Sequence, residues 1–314
     1  MNAARESIVT ADGLTKRFAE VAAVDGLSFS VNHGEIFGLV GPDGAGKTTT
    51  MRMLAGVLRP DGGGIVIDGV DVVADPESGK PHLSYMPQRF GLYEELTVDE
   101  NIRFYADLFE VAQDVREERA SRLLAASGMS QFRGRRAGQL SGGMKQKLGL
   151  TCALVHTPQI LLLDEPTTGV DPVSRREFWG ILYGLREEGV TILITTAYLD
   201  EAERCNRLAL LHNGHLLYCD TPAALKQRMS GAVVAITSSA GRAAHAAIAD
   251  LAGVSNVILV GSGVHAVVDD AASRIPALRD ALQRGNVVFD DIAVTAPSIE
   301  DVFVALLEDE RRPR

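Results

Sequence analysis

The chain is poor in cysteine, in net positive charge and in long apolar runs. Its three cysteines, Cys152, Cys205 and Cys219, are odd in number and lack metal-type spacing, so they read as reduced, buried structural thiols of a cytosolic protein. Lys and Arg total 31 against 41 Asp and Glu, a formal net charge of -10. That balance argues against the phosphate backbone of nucleic acid as the main partner. No segment approaches the ~18 consecutive apolar residues that a membrane-crossing helix needs. The N-terminus, with Arg5 and Glu6 before a mixed stretch, has no apolar signal core. Sustained heptads are missing as well. A role at a membrane would then be played from the cytoplasm, through another chain. What is present is an ordinary folded composition, 46% hydrophobic and 23% charged over 314 residues. It suits one large domain plus a smaller one, or two modest ones.

The most informative stretch is Gly41-Pro42-Asp43-Gly44-Ala45-Gly46-Lys47-Thr48. Glycines at this spacing let the backbone turn tightly, so that successive N–H groups point inward at negative oxygens. Lys47 can reach the β- and γ-phosphates of a nucleotide, and the Thr48 hydroxyl can take a place on Mg2+. The apolar run Ile36-Phe37-Gly38-Leu39-Val40 before it predicts a buried strand. Thr49 to Ala55 predicts a helix whose N-terminus favours phosphate.

Ile160-Leu161-Leu162-Leu163-Asp164-Glu165 predicts a second buried parallel strand, delivering two carboxylates to the sheet edge where ligands bind. Asp164 is placed to hold Mg2+, and Glu165 to accept a proton from the water attacking the γ-phosphate. Leu140-Ser141-Gly142-Gly143-Met144 opens a further apolar, helix-like run, a second phosphate-binding helix N-terminus. One nucleotide does not need two cradles from one subunit. The second makes sense if it closes over a nucleotide held by a partner.

With these motifs in this order, the first 220 or so residues resemble the ATP-binding cassette of ABC transporters. The resemblance implies an α/β P-loop NTPase fold: a RecA-like core, an antiparallel β subdomain and a helical subdomain at about 89–157, all within 1–222. It implies that Phe18 stacks on adenine, a position where a core Phe is nearly as good a reading. It implies that Gln88, in Tyr85-Met86-Pro87-Gln88, touches Mg2+ and the attacking water. Asp171, in Gly169-Val170-Asp171, falls in the loop through which two cassettes meet. Two cassettes would pack head to tail, each ATP clamped between Lys47 and Thr48 of one and the Ser141 loop of the other. The family's switch histidine is replaced by Ala197, after the strand Val190 to Thr196. That departure implies slow turnover at this chain's own site, unless Tyr198 or a water compensates. Separate integral membrane permease chains are the implied partners, on the inner face of the cell membrane, with no nucleic acid expected.

Elsewhere, Ile8 to Val31 reads as short strands with a turn at Asp25-Gly26, and Gly62-Gly63-Gly64 precedes a strand pair. Thr97 and Glu100 form a capping box, and Val98, Ile102, Tyr105 and Leu108 share one face, with Leu123 and Leu124 beginning a second face. Leu92, Tyr93 and Leu96 are candidates for the groove receiving a permease helix. From 223 to 314 the order βαββαβ suggests a small ferredoxin-like α+β domain. Its strands fall at Val233–Thr237, Val257–Val260, Val264–Val268 and Val287–Val294. A last helix is capped by Ser298, His245 and His265 are lone histidines, and Arg311 to Arg314 reads as a frayed tail. The string Ala296 to Phe303 resembles the end of ATPases serving drug and antibiotic exporters. The leading expectation is an ATPase powering export of a drug-like or hydrophobic substrate. The alternatives are an importer or lipid-exporter ATPase, or a soluble cassette protein acting on ribosomes or DNA.

Overall fold

The computed structural model describes residues 6–311. Arg5, and Arg312 to Arg314 of the expected tail, lie outside the described residues; the Arg311 backbone ends the last helix. The chain divides into two compact units, Met1–Tyr198 with Cys205–Cys219, and Leu199–Arg204 with Asp220–Arg314. The short insert Leu199–Arg204, which the sequence alone assigns to the nucleotide-binding part, belongs to the second unit.

Ten strands run from the start of the described chain to Asp220: β1 (Ser7–Phe18), β2 (Val21–Asn32), β3 (Ile36–Val40), β4 (Gly62–Ile67), β5 (Val70–Asp71), β6 (Leu83–Met86), β7 (Ile160–Asp164), β8 (Thr191–Thr196), β9 (Arg207–His212) and β10 (His215–Asp220). One sheet has the order β2-β1-β4-β5 and the other β10-β9-β3-β8-β7-β6. In the second, β9, β3, β8, β7 and β6 pair in parallel. All five residues of both β3 and β7 are buried, as expected of parallel strands covered on both faces. The first sheet is antiparallel and half-buried, with Val9, Ala11 and Leu14 on its core side.

Gly26 and Gly62 to Gly64 do not mark turns. Asp25-Gly26 lies inside β2, where two residues oppose Thr15 between the pairs Leu14↔Leu27 and Lys16↔Val24, a bulge rather than a turn. The hairpin instead turns at Ala19-Glu20, with Ala19 at φ 50°. Gly62, Gly63 and Gly64 do not precede a strand but begin β4. At Gly63 a Cβ would stand 2.5 Å from the Asp12 carbonyl oxygen, so the strands approach too closely for a side chain.

The longer helices of this unit are Lys47–Leu54, starting at Lys47 rather than Thr49, then Val98–Leu108, Gln113–Ala126, Gly142–Leu154 and Pro172–Glu187. The Thr97/Glu100 capping box is complete. Val98 and Ile102 face the core, but Leu108 is exposed. Leu123 and Leu124 are buried near the end of the helix Gln113–Ala126. Residues Leu148 to Leu154 are buried without interruption, because that helix is surrounded and needs no polar face. Cys152 and Cys205 are buried as expected; Cys219 is only half-buried, beside the Arg207 guanidinium.

In the second unit, strands β11 (Ala232–Thr237), β12 (Val254–Val260), β13 (Gly263–Val268) and β14 (Asp291–Thr295) form a sheet of order β12-β13-β11-β14, with antiparallel neighbours. Helices Gly241–Ile248 and Ala271–Arg284 complete a strand–helix–strand–strand–helix–strand order. The last strand starts at Asp291, not Val287, and Val288 is exposed. Ser298 caps the helix Ile299–Arg311 reciprocally with Asp301, each accepting the other's backbone N–H. His265 is not alone: its Nδ1 lies 3.1 Å from the buried Asp301 carboxylate.

Candidate nucleotide site

The site forms at the carboxyl ends of β3, β7 and β8, adjacent parallel strands whose register sets which side chains converge. Asp164 pairs with Thr195, so the last residue of β7 and the penultimate residue of β8 stand side by side. The loop from Gly41 to Gly46 leaves β3 and enters the helix Lys47–Leu54. Gly46 has φ +101°, and a Cβ there would lie 2.5 Å from the Ala23 carbonyl oxygen. Only glycine meets both conditions. Gly44, at φ +80°, has nothing within 4 Å of an added Cβ, so its backbone is open to an approaching ligand.

Lys47 is almost wholly buried, and its ammonium donates to the carbonyls of Gly41 at 2.8 Å and Pro42 at 3.0 Å. Glu165 stands 3.1 Å from it. A buried cation aimed into a cleft and met by a single carboxylate fits a phosphate, which can supply the same anionic oxygen. The Asp164 carboxylate is buried and receives hydroxyls from three elements. Thr48 donates to Oδ1 at 3.1 Å, Thr195 to the same oxygen at 2.7 Å, and Tyr85 to Oδ2 at 3.3 Å. Burial, and then the Asp164 charge, push the Tyr85 phenol up to about 12, which keeps it a donor. Glu165 has φ 47°, a left-handed conformation that a residue with a Cβ rarely adopts. Its carboxylate accepts from Gln88 at 3.1 Å and Thr168 at 3.3 Å.

A cleft of about 650 Å3 is lined by Phe18, residues 43–49, Gln88, Glu165 and Asn213. Phe18 is 50% exposed, which removes the core reading for it, and Lys16 Nζ lies 5.9 Å from its ring centroid. Oxygen donors without a cluster of protein ligands suit Mg2+, which keeps waters and borrows phosphate oxygens. Among the described residues no group of three or more His, Cys, Asp or Glu could hold a metal alone.

Ser141, Gly142, Gly143 and Asp171 do not line this cleft. Ser141 caps the helix Gly142–Leu154, accepting from the Met144 N–H at 3.4 Å. A Cβ on Gly143 would fall 2.5 Å from Ser174, so this glycine is required by helix packing, whereas Gly142 is open. Asp171 caps the helix Pro172–Glu187, and hydrogen bonds from Ser174 hold its carboxyl below the ordinary range. Ala197 is exposed, and the Tyr198 ring lies under the Arg175 guanidinium at 4.1 Å, outside the cleft. Sequence reading missed Tyr85, Thr168, Thr195 and Asn213.

A second, apolar groove of about 700 Å3 is lined by Leu83, Tyr85, Phe90, Tyr105, Leu108 and Phe109 with the rim residue Lys80. Leu92, Tyr93 and Leu96 do not line it. Tyr93 instead packs edge-on against Phe104, with centroids 4.6 Å apart. No helix among the described residues is long and apolar enough to cross a membrane.

The family model described as ABC transporter matches residues 24–168. Over 306 residues the chain is 44% identical to the "Probable multidrug ABC transporter ATP-binding protein YbhF" of Escherichia coli K12, covering 96% of this chain and 52% of that protein. The chain therefore spans about half the length of the first curated relatives it matches. With the daunorubicin resistance ATP-binding protein DrrA2 of Streptomyces coeruleorubidus it shares 34% identity over 95% of this chain and 94% of the relative. A solved ATP-binding subunit of an ABC transporter aligns with TM-score 0.64 and 29% identity over 71% of this chain and 93% of that one. Motif order, fold and these likenesses agree, and the chain belongs to the ABC transporter family, whose ATP-binding cassette it carries.

Proposed function

We propose that the chain binds and hydrolyses ATP to power export of a drug-like or hydrophobic substrate through separate membrane permease chains. The observation that carries this reading is the convergence of Lys47, Thr48, Glu165 and Gln88 on one cleft, with the buried Asp164 bonded to Thr48 behind its lining. Thr48, Asp164 and Gln88 would hold Mg2+, which supplies charge neutralisation on the phosphates. Lys47 exchanges the Glu165 carboxylate for a phosphate oxygen. Glu165, freed from the ammonium but still oriented by Gln88, accepts the proton of the attacking water. Phe18 stacks on the adenine ring.

Because Ser141 and its helix N-terminus stand outside the cleft, the pocket is completed by a second cassette. Ser141, Gly142 and Gly143 of one copy approach the phosphates held by the other, with Asp171 in the contact loop. The apolar groove beside Phe90 and Tyr105 receives a cytoplasmic helix of the permease, so the chain works as a peripheral protein on the inner membrane face. Residues Asp220–Arg314 with Leu199–Arg204 act as an accessory domain of ferredoxin-like type, and the other unit as the cassette. The export direction is supported by the multidrug and daunorubicin resistance names of the relatives.

The test is the Glu165→Gln form with ATP, followed by light scattering, together with ATPase of Ser141→Arg in the permease complex. ATP-dependent dimerisation of the first and loss of turnover in the second are expected. A protein that stays monomeric with ATP bound, and is indifferent to Ser141, would overturn the two-cassette reading.

A further inference from the structure

The mechanism above uses Asp164 and Glu165 but leaves unexplained how two adjacent carboxylates are aimed in different directions. They are consecutive, and the backbone reverses between them. Asp164 is the last residue of β7, and Glu165 sits at φ 47°. A non-glycine residue keeps that conformation only where its surroundings over-determine it.

One hydroxyl meets both residues. Thr195 Oγ1 accepts from the Glu165 backbone N–H at 2.8 Å and donates to Asp164 Oδ1 at 2.7 Å. Thr195 is fully buried in β8, and its Cα pairs with that of Asp164 across the parallel ladder. A hydroxyl has one proton to give. Since the Glu165 N–H points at the oxygen, the proton is committed to Asp164, and the polarity of the chain N–H to hydroxyl to carboxylate is fixed. The same carboxylate oxygen takes the Thr48 hydroxyl at 3.1 Å.

We propose that Thr195 is a positioning residue of this site, locking the Asp164 carboxylate toward Thr48 while pinning the Glu165 backbone in the left-handed turn that aims its side chain at Lys47 and Gln88. It is fully buried and does not line the cleft, so it acts through its two neighbours. The proposal rests on the nucleotide reading above. Replacing the hydroxyl by a methyl leaves the Glu165 N–H without its acceptor and gives Asp164 freedom to rotate. Outer partners of metal-holding groups are worth about 10–100-fold in metal affinity or activity.

The experiment compares Thr195→Val, which keeps the shape, with Thr195→Ser, which keeps the hydroxyl. The full chain is titrated with ADP in Mg2+ and in EDTA, and kcat for ATP is measured in the permease complex. For Thr195→Val the gain in ADP affinity given by Mg2+ should shrink about 10–100-fold with affinity in EDTA unchanged, and kcat should fall by a similar factor. Thr195→Ser should restore both. If the Val protein does not fold, Thr195→Ser against Thr195→Ala repeats the comparison, since those two differ by the hydroxyl alone. Undiminished Mg2+ dependence in Val or Ala, or a Ser protein as impaired as either, overturns the proposal. Lys47→Ala separates the two failures: if it binds ADP normally, the nucleotide reading itself is wrong.

Discussion

Removing the Phe18 ring tests the nucleotide site at the end farthest from the phosphates. Phe18 closes β1 and is 50% exposed at the rim of the cleft, so its ring face is available to a base. Stacking of a base on an aromatic side chain is worth about 1–3 kcal/mol, or about 5- to 150-fold in Kd. The stability cost of Phe18→Ala is bounded by what is already buried. Half of a roughly 200 Å2 side chain at about 25 cal/mol per Å2 amounts to at most about 2.5 kcal/mol. A core Phe→Ala would cost about 3–5 kcal/mol. The assay is equilibrium binding of ATP and of inorganic tripolyphosphate to wild type and Phe18→Ala, with thermal melts alongside. ATP affinity should fall within the stated range, tripolyphosphate affinity should hold, and Phe18→Trp should bind ATP at least as well as wild type. Equal losses for both ligands, or no loss for ATP, would refute the stacking argument.

Gly143→Ala should lower Tm, because overpacking against Ser174 at about 1–3 kcal/mol outweighs the ~1 kcal/mol gained in helix propensity. Gly142→Ala, which meets no clash, should leave Tm level or raised while reducing ATPase of the complex; matching Tm losses in both would contradict the packing account. If the family resemblance holds at position 197, Ala197→His in the permease complex should raise kcat, by up to about 10²-fold, by adding the γ-phosphate donor that the resemblance implies; an unchanged rate would show that the site lacks nothing there. Burial, with Cys152 and Tyr93 nearby, pushes the Tyr105 phenol up to about 12. A raised folded pKa means that its contribution to stability is intact below about pH 10 and is lost as pH climbs through 12. Tyr105→Phe should therefore lose stability at pH 8 with its bond to the Gly91 carbonyl. It should also show a shallower decline between pH 10 and 12 in chemical denaturation, and parallel profiles would count against this.

Legibility in the sequence followed the range of the interaction. The strands β3 and β7 were readable because burial on both faces leaves an unbroken apolar run. The cap at Thr97 was readable because its partner Glu100 is three residues away. The phosphate loop was readable because its geometry is local. Glycines misled where they serve purposes other than turning: Gly26 absorbs a bulge and Gly63 a close strand approach. The true hairpin turn at Ala19-Glu20 carries no punctuation residue at all. Tyr85 and Thr195 could not be found, because their meeting with Asp164 depends on the register of three strands separated by long stretches of chain. Ser141 was recognised as a helix opening, but that Gly143 is held by Ser174 needs the packing of two helices.

The insert Leu199–Arg204 follows directly on Ala197 and Tyr198 yet is counted with the C-terminal unit. Glu203 binds it there, accepting from the Ile299 N–H at 3.1 Å and pairing with Lys226 at 2.9 Å. A truncated protein stopped at residue 222 would keep every residue of the nucleotide cleft and still discard both anchors of Glu203. The seam that looks natural to a cloner is therefore not where the molecule comes apart, and the tail end of the chain helps to shape the stretch just past β8.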